Sequence, residues 1–317
     1  MDEKRSVCVV MKDFLRLIRY KNLLIIIATM LIIRYALIGV FMPFQLSTVG
    51  FVLLVVATVC LSAAGYIIND YFDVNADMMN KPDKVIIGKT INRRNAMIFH
   101  WIFNIVGCVC GALVSFGIGL PKYSFIFLFI AGVLWFYSTT FSKEPVLGNV
   151  VIALLVASVP IIEILYEMLP LLSLPMDILQ QLHIRFEELF VWGLGYTLFA
   201  FLLTLQREMV KDIEDLEGDR TYGRNTLPIA FGLKAARICT FGVSVVVIVA
   251  IVVSQVCKLS DTFSLIFINV CITLPLLYGL YVFVKADSSE EYAKVSFVLK
   301  LVMLMGLLYL ISYMFLK

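Results

Sequence analysis

Charge is scarce in this chain: 15% of its 317 residues are charged against 61% hydrophobic, and the mean hydropathy is +0.96. That balance excludes a soluble globular domain of this length and indicates a polytopic membrane protein. Histidine occurs only at His100 and His183. The seven cysteines, at positions 8, 60, 108, 110, 239, 257 and 271, form no Cys-x-x-Cys pair. A Cys/His metal centre and a disulfide framework are therefore set aside, and the cysteines read as small buried hydrophobes. A net charge of +3 is too small to indicate a nucleic-acid partner. The charged opening MDEKRSVCVVMKDFLRLIRYKN precedes an apolar run without a small-residue cleavage site, so an uncleaved first span is expected.

What is abundant is long apolar sequence. Nine runs approach the ~20 residues needed to cross the hydrocarbon. They are Leu23 to Phe41, Val49 to Ile68, Ala96 to Ile118, Ser124 to Phe141, Leu147 to Leu165, Phe190 to Gln206, Ala236 to Val256, Phe263 to Val284 and Val295 to Leu316. If the N-terminus is inside, twenty of the 26 Lys and Arg collect on one face. The positive-inside rule then places the N-terminus in the cytoplasm and the C-terminus outside, in the cell membrane. The loops after the second and sixth spans share the cytoplasmic face. The external connection from Leu169 to Glu188, with Pro170 and Pro175, is expected to hold a short interfacial helix. Neither a fixed repeat nor a low-complexity tail interrupts the chain. The expectation is one integral membrane domain over 1–317, all-α, with nine helices around a central cavity.

Two acidic clusters stand out, and acidic residues beside lipid are costly unless they face a partner or a watery cavity. In NDYFDVNAD, a continued helix would put Asn69, Asp73 and Asp77 on one stripe, with Asp70 beside it. Lys81, Lys84, Lys89, Arg93 and Arg94 follow. In REMVKDIEDLEGDR, Glu208, Asp212, Asp215 and Asp219 are spaced 4, 3 and 4, again one helical stripe, flanked by Lys211 and Arg220. Four like charges on one stripe repel, which calls for a cation. Magnesium joins one or two carboxylates to phosphate oxygens, and basic loops take the remaining oxygens. The shared ligand indicated is a magnesium-bound diphosphate. Charge stabilisation on a departing diphosphate, beside a dry apolar pocket, is the chemistry of prenyl transfer.

These motifs resemble those of the UbiA superfamily of intramembrane prenyltransferases over nearly the whole length: NDYFDVNAD is similar to its first aspartate motif and DLEGD, Asp215 to Asp219, to its second. The resemblance implies that Asn69, Asp73, Asp77, Asp215 and Asp219 hold two Mg2+ ions, with Asp70 and Asp212 as nearby ligands. Lys84, Arg94 and Arg220 are implied diphosphate contacts. The family often follows a tyrosine with a lysine at the end of the fourth span. Here, after Tyr137, Ser142 stands at that place and Lys143 comes one residue later. Within the superfamily, VKDIEDLEGDRTYGRNTLPIAFG and NKPDKVIIGKTINRR are similar to the geranylgeranylglycerol-phosphate geranylgeranyltransferase branch, near the chlorophyll synthases. The implied partners are an isoprenyl diphosphate donor and a lipid acceptor.

Arg34, deep in the first span, is a candidate for binding an acceptor phosphate; the alternative is a buried structural pair with Glu163. Asn22 either lines the cavity mouth or ends a helix. His100 beside Trp101 reads as an interfacial pair rather than a base. The competing functions are prenyl transfer to an aromatic acceptor (4-hydroxybenzoate, dihydroxynaphthoate) or haem, and a carboxylate-lined transporter. Transport calls for ionisable groups spread through the membrane depth, whereas these gather at one side. A CDP-alcohol phosphotransferase needs a D-G-x-x-A-R segment, which does not occur.

Overall fold

A computed structural model describes residues 2–80, 82–175, 178, 185–257, 259 and 261–314. Nine of the described helices are long and apolar enough to cross a membrane, one for each expected run, so the protein is an integral membrane protein of all-α class. Following the amphipathic α1 (Asp2–Leu17) come α2 (Tyr20–Phe41), α3 (Thr48–Asn80), α4 (Arg93–Gly117), α5 (Phe125–Thr139) and α6 (Leu147–Met168). Then follow α7 (Phe186–Glu214), the short α8 (Leu216–Thr221), α9 (Leu233–Cys257), α10 (Thr262–Lys285) and α11 (Ser289–Met314). Phe125, Phe129 and Val256 are each more than 70% exposed, as residues solvated by lipid tails would be. Of the connection from Leu169 to Glu188, 176–177 and 179–184 lie outside the described residues, so the expected interfacial helix and His183 do too; Leu169–Ser173 is a 3-10 turn.

Helix length positions the motifs. The 33 residues of α3 span ~50 Å at the usual helical rise, against a hydrocarbon core of ~30 Å. The surplus turns carry Asn69 to Asp77 beyond the apolar stretch. The 29 residues of α7 do the same for Glu208 and Asp212.

The chain divides into two compact units. Unit 1 comprises 1–31, 43–142 and 162–184. Within it α3 packs along α4 and α5, and small residues let the helices close up. A Cβ at Gly107 would come within 2.9 Å of Leu61 and 3.2 Å of the Ala57 carbonyl, and one at Gly111 would overlap the Phe127 ring. At the motif end of this unit, Leu17, Ile18, Leu23, Ile67, Ile87 and Ala96 form a core on which Phe14 of α1 packs. Glu167 is fully buried and accepts from the backbone N–H of Gln45 at 2.6 Å and Leu46 at 2.9 Å, closing the loop before α3. Tyr166 donates to the Tyr123 carbonyl at 3.0 Å and shares a hydrogen bond with Ser115 at 2.7 Å.

Unit 2 comprises 32–42, 143–161 and 185–317. Here α7 packs against α9 and α11, over a core that includes Leu203, Val210, Val247, Leu276, Leu299 and Val302. The end of α2 joins them through a π turn, Ile33–Ile38, that contains Arg34.

Candidate functional site

In unit 1 the first motif forms as its spacing predicts. α3 is unbroken to Asn80, so Asn69, Asp73 and Asp77 rise along one stripe. Asn69 Nδ2 donates to Asp73 Oδ2 at 2.9 Å, and Asp73 is 6% exposed. Asp70 faces a different partner: Arg19 Nη2 donates to Asp70 Oδ1 at 2.7 Å, with the guanidinium 4.9 Å from the Tyr66 ring centre. Arg19 occupies the corner between α1 and α2 with φ 51°, a left-handed conformation uncommon outside glycine. Arg16 reaches the Asp83 carbonyl at 3.3 Å, so α1 is tied to the motif and to the loop behind it. That loop turns at Gly88 (φ 87°) and re-enters helix at Asn92, whose side chain accepts from the Asn95 N–H at 2.7 Å. Arg94 is exposed on the first turn of α4 and Arg93 lies over the Tyr71 ring; the side chain of Lys84 and the whole of Lys81 lie outside the described residues.

In unit 2 the second motif departs from the expected single stripe. α7 stops at Glu214, Asp215 takes φ −98° and ψ 12°, and α8 starts at Leu216. Ser289 Oγ donates to the Glu214 carbonyl at 3.1 Å, satisfying one of the carbonyls freed at the break. The like-charge repulsion is also partly relieved within the chain, so the stripe is a weaker argument for a cation than its spacing suggests. Glu208 pairs with Lys211 at 2.7 Å and Arg207 at 3.1 Å, Asp219 with Arg224 at 3.6 Å, and Asp212 accepts from Asn149 Nδ2 at 2.7 Å. Asp219 is 3% exposed, whereas Arg220 points into the open. Lys143 is exposed, and its carbonyl accepts from the Asn225 N–H at 3.0 Å, which holds it beside the second motif.

Two residues the sequence left undistinguished act at these motifs, and a third, His100, packs nearby. Arg19 and Asn149 reach their aspartates across 51 and 63 residues of chain. The only local signal for Asn149 is a polar side chain at the start of an apolar run. His100, paired with Trp101, is buried against its neighbours: it is 2% exposed, its Nδ1 lies 3.0 Å from the Ala64 carbonyl, and its ring sits 5.6 Å from that of Trp135. Its hydrogen bonds and stacking make it a structural residue of the α3–α4 contact.

Among the described residues, no three His, Cys, Asp or Glu side chains surround one point. The donor set still fits Mg2+, which takes hard oxygen ligands and completes its shell with water and phosphate. Asn69 with Asp73, and Asp212, Asp215 and Asp219, are oxygen donors of that kind.

The model of the UbiA prenyltransferase family matches residues 23–304. The chain is 26% identical to the digeranylgeranylglyceryl phosphate synthase of Methanosphaera stadtmanae over 93% of its own length and 97% of that protein's. It is 32% identical to the Methanosarcina mazei enzyme of the same name, covering 71% and 73%. A solved structure described as digeranylgeranylglyceryl phosphate synthase in membranes superposes with a TM-score of 0.65 at 26% identity, covering 96% of this chain and 98% of that one. A UbiA homologue from Archaeoglobus fulgidus bound to GPP and Mg2+ shares the fold, with a TM-score of 0.58 at 15% identity over 95% and 99%.

Proposed function

Since the chain belongs to the UbiA prenyltransferase family, we propose that it transfers a geranylgeranyl group from its diphosphate to geranylgeranylglyceryl phosphate, using Mg2+ and releasing diphosphate. The observation that carries the acceptor is the resemblance, along nearly the whole chain, to synthases named for that product. When bound, Mg2+ neutralises charge that develops on the departing diphosphate, the kind of term that dominates such reactions.

The chain's own residues divide the remaining work. Asn69 fixes Asp73 by a hydrogen bond, and the stripe to Asp77 presents its oxygens along one helix. Asp215 at the break after α7 and Asp219 in α8 present the second set, with Asp70 and Asp212 supporting each group. Lys84, Arg94, Lys143 and Arg220 are the cations we assign to the diphosphate oxygens. Arg34, 4% exposed in the π turn of α2, is the group we assign to the acceptor phosphate. A π turn inside a helix is rare and frequently marks a functional position. From the charge asymmetry of the loops, both motifs open to the cytoplasm, and 1–317 acts as one catalytic domain.

The test is an acceptor panel: purified protein, MgCl2 and labelled geranylgeranyl diphosphate, offered geranylgeranylglyceryl phosphate, 4-hydroxybenzoate, dihydroxynaphthoate and haem separately. A doubly prenylated glycerol phosphate, lost on chelation with EDTA, is expected. Product only with an aromatic acceptor or haem would refute the lipid assignment, and chelator-resistant product would refute the Mg2+ assignment.

A further inference from the structure

We propose that Asn149 is a positioning residue for the second motif: it holds the Asp212 carboxylate by one oxygen, in place to serve as a ligand of Mg2+. The inference rests on the Mg2+-diphosphate reading above and deepens it. Glu208 and Asp212, both near the end of α7, are held by opposite kinds of donor. Glu208 is gripped by two cations, Lys211 and Arg207, which cancel its charge. Asp212 is gripped instead by a neutral amide at 2.7 Å. An amide N–H orients a carboxylate without neutralising it, as a lysine or arginine would. Glu208 is thereby a structural ion pair, whereas Asp212 is oriented by an uncharged partner.

The placement of Asn149 is itself over-determined. It is 9% exposed on the first turn of α6, so water cannot readily replace its hydrogen bond. Immediately before it the chain makes a one-residue turn: the Leu147 N–H donates to the Pro145 carbonyl at 2.7 Å, and Val146 takes φ 65°. A positive φ on a β-branched residue is a true outlier, and such strain persists where surrounding structure enforces it. Three residues earlier the Lys143 carbonyl accepts from the Asn225 N–H at 3.0 Å. Arg224, the residue before, pairs with Asp219. The segment 143–149 thus ties to the second motif twice, through backbone at Lys143 and through side chain at Asn149.

The experiment follows thermal unfolding of the purified full chain in detergent with inorganic diphosphate while MgCl2 is titrated, and in parallel the Mg2+ dependence of turnover. Wild type is expected to gain stability with a defined Mg2+ midpoint. Asn149→Leu should move both midpoints upward by about 10- to 100-fold, the usual effect of losing a group that orients a metal ligand. The double variant Asn149→Asp with Asp212→Asn keeps the amide-carboxylate bond and the net charge but moves the carboxylate to α6. It is expected to unfold like wild type without Mg2+ and to retain the raised midpoint, and it decides the matter if Asn149→Leu fails to fold. An unshifted midpoint in Asn149→Leu, a wild-type midpoint in the exchange variant, or no Mg2+ stabilisation of wild type would each overturn the inference. Absence of prenyl product, with the stability midpoints shifted as expected, would instead sink the proposed function and leave Asn149's role standing.

Discussion

Asp73 is buried and accepts from Asn69, so Asp73→Asn removes a charge with little change of shape. Asp215→Asn does the same at the break in α7. Each is expected to reduce turnover by at least about 100-fold, since electrostatic groups acting on developing charge are worth that much. Unfolding temperatures near wild type would accompany the loss; normal product formation by either stable variant would remove that aspartate from the site. Arg34 poses a different question, because it is sealed within the helices. With Arg34→Leu, the KM for geranylgeranylglyceryl phosphate should rise at least about tenfold while the donor KM holds, the loss expected of a charge-assisted hydrogen bond worth ~1.5 to 3 kcal/mol. A variant that fails to accumulate would assign Arg34 to structure instead. At this scale the first motif was legible because its partners are one helical turn apart. Arg19 and Asn149 were not, because the spacing that reveals a stripe carries no information about side chains arriving from elsewhere in the fold.

Elements add what single residues do not explain. α3 and α4 approach closely because Gly107 has no side chain, and the wall opposite includes the backbone of Ala57, which cannot rotate away. Gly107→Leu is therefore expected to destabilise the protein by roughly 1 to 3 kcal/mol, the typical range for overpacking. Lowered unfolding temperature and poor yield would be the readout, and a wild-type melting curve would show that the helices can part there. The apolar runs revealed all nine spans, since the thickness of the hydrocarbon fixes how long such a run must be. They did not reveal the break in α7. IEDLEGD contains no proline, and the acidic spacing alone favours a continuous helix. The break is supported from elsewhere, by Ser289 capping the Glu214 carbonyl. The repulsion expected of the stripe is eased partly by near neighbours, since Arg207 and Lys211 pair with Glu208 from the same helix, and partly by the Asn149 amide, whose proximity only the fold creates.

For the whole molecule, composition was decisive about solvent and class, and the motif wording about family, whereas the acceptor was read from wording shared with one branch. The division into two units was not legible, because the boundary cuts within α2 and α6, whose apolar sequence continues across it. The one-residue turn at Val146 has a consequence for how this enzyme tolerates change. The left-handed backbone there costs roughly 1 to 2 kcal/mol, a penalty glycine escapes. Val146→Gly should accordingly yield a protein that withstands more heat, partly offset by glycine's greater freedom when unfolded. The same variant should turn over more slowly, with a weaker response to Mg2+, because slack has entered the segment that aims Asn149. Greater heat resistance with undiminished turnover would show the turn to be idle. A selection for thermal endurance alone would then be expected to find glycine at this position early and to lose catalytic vigour by accepting it.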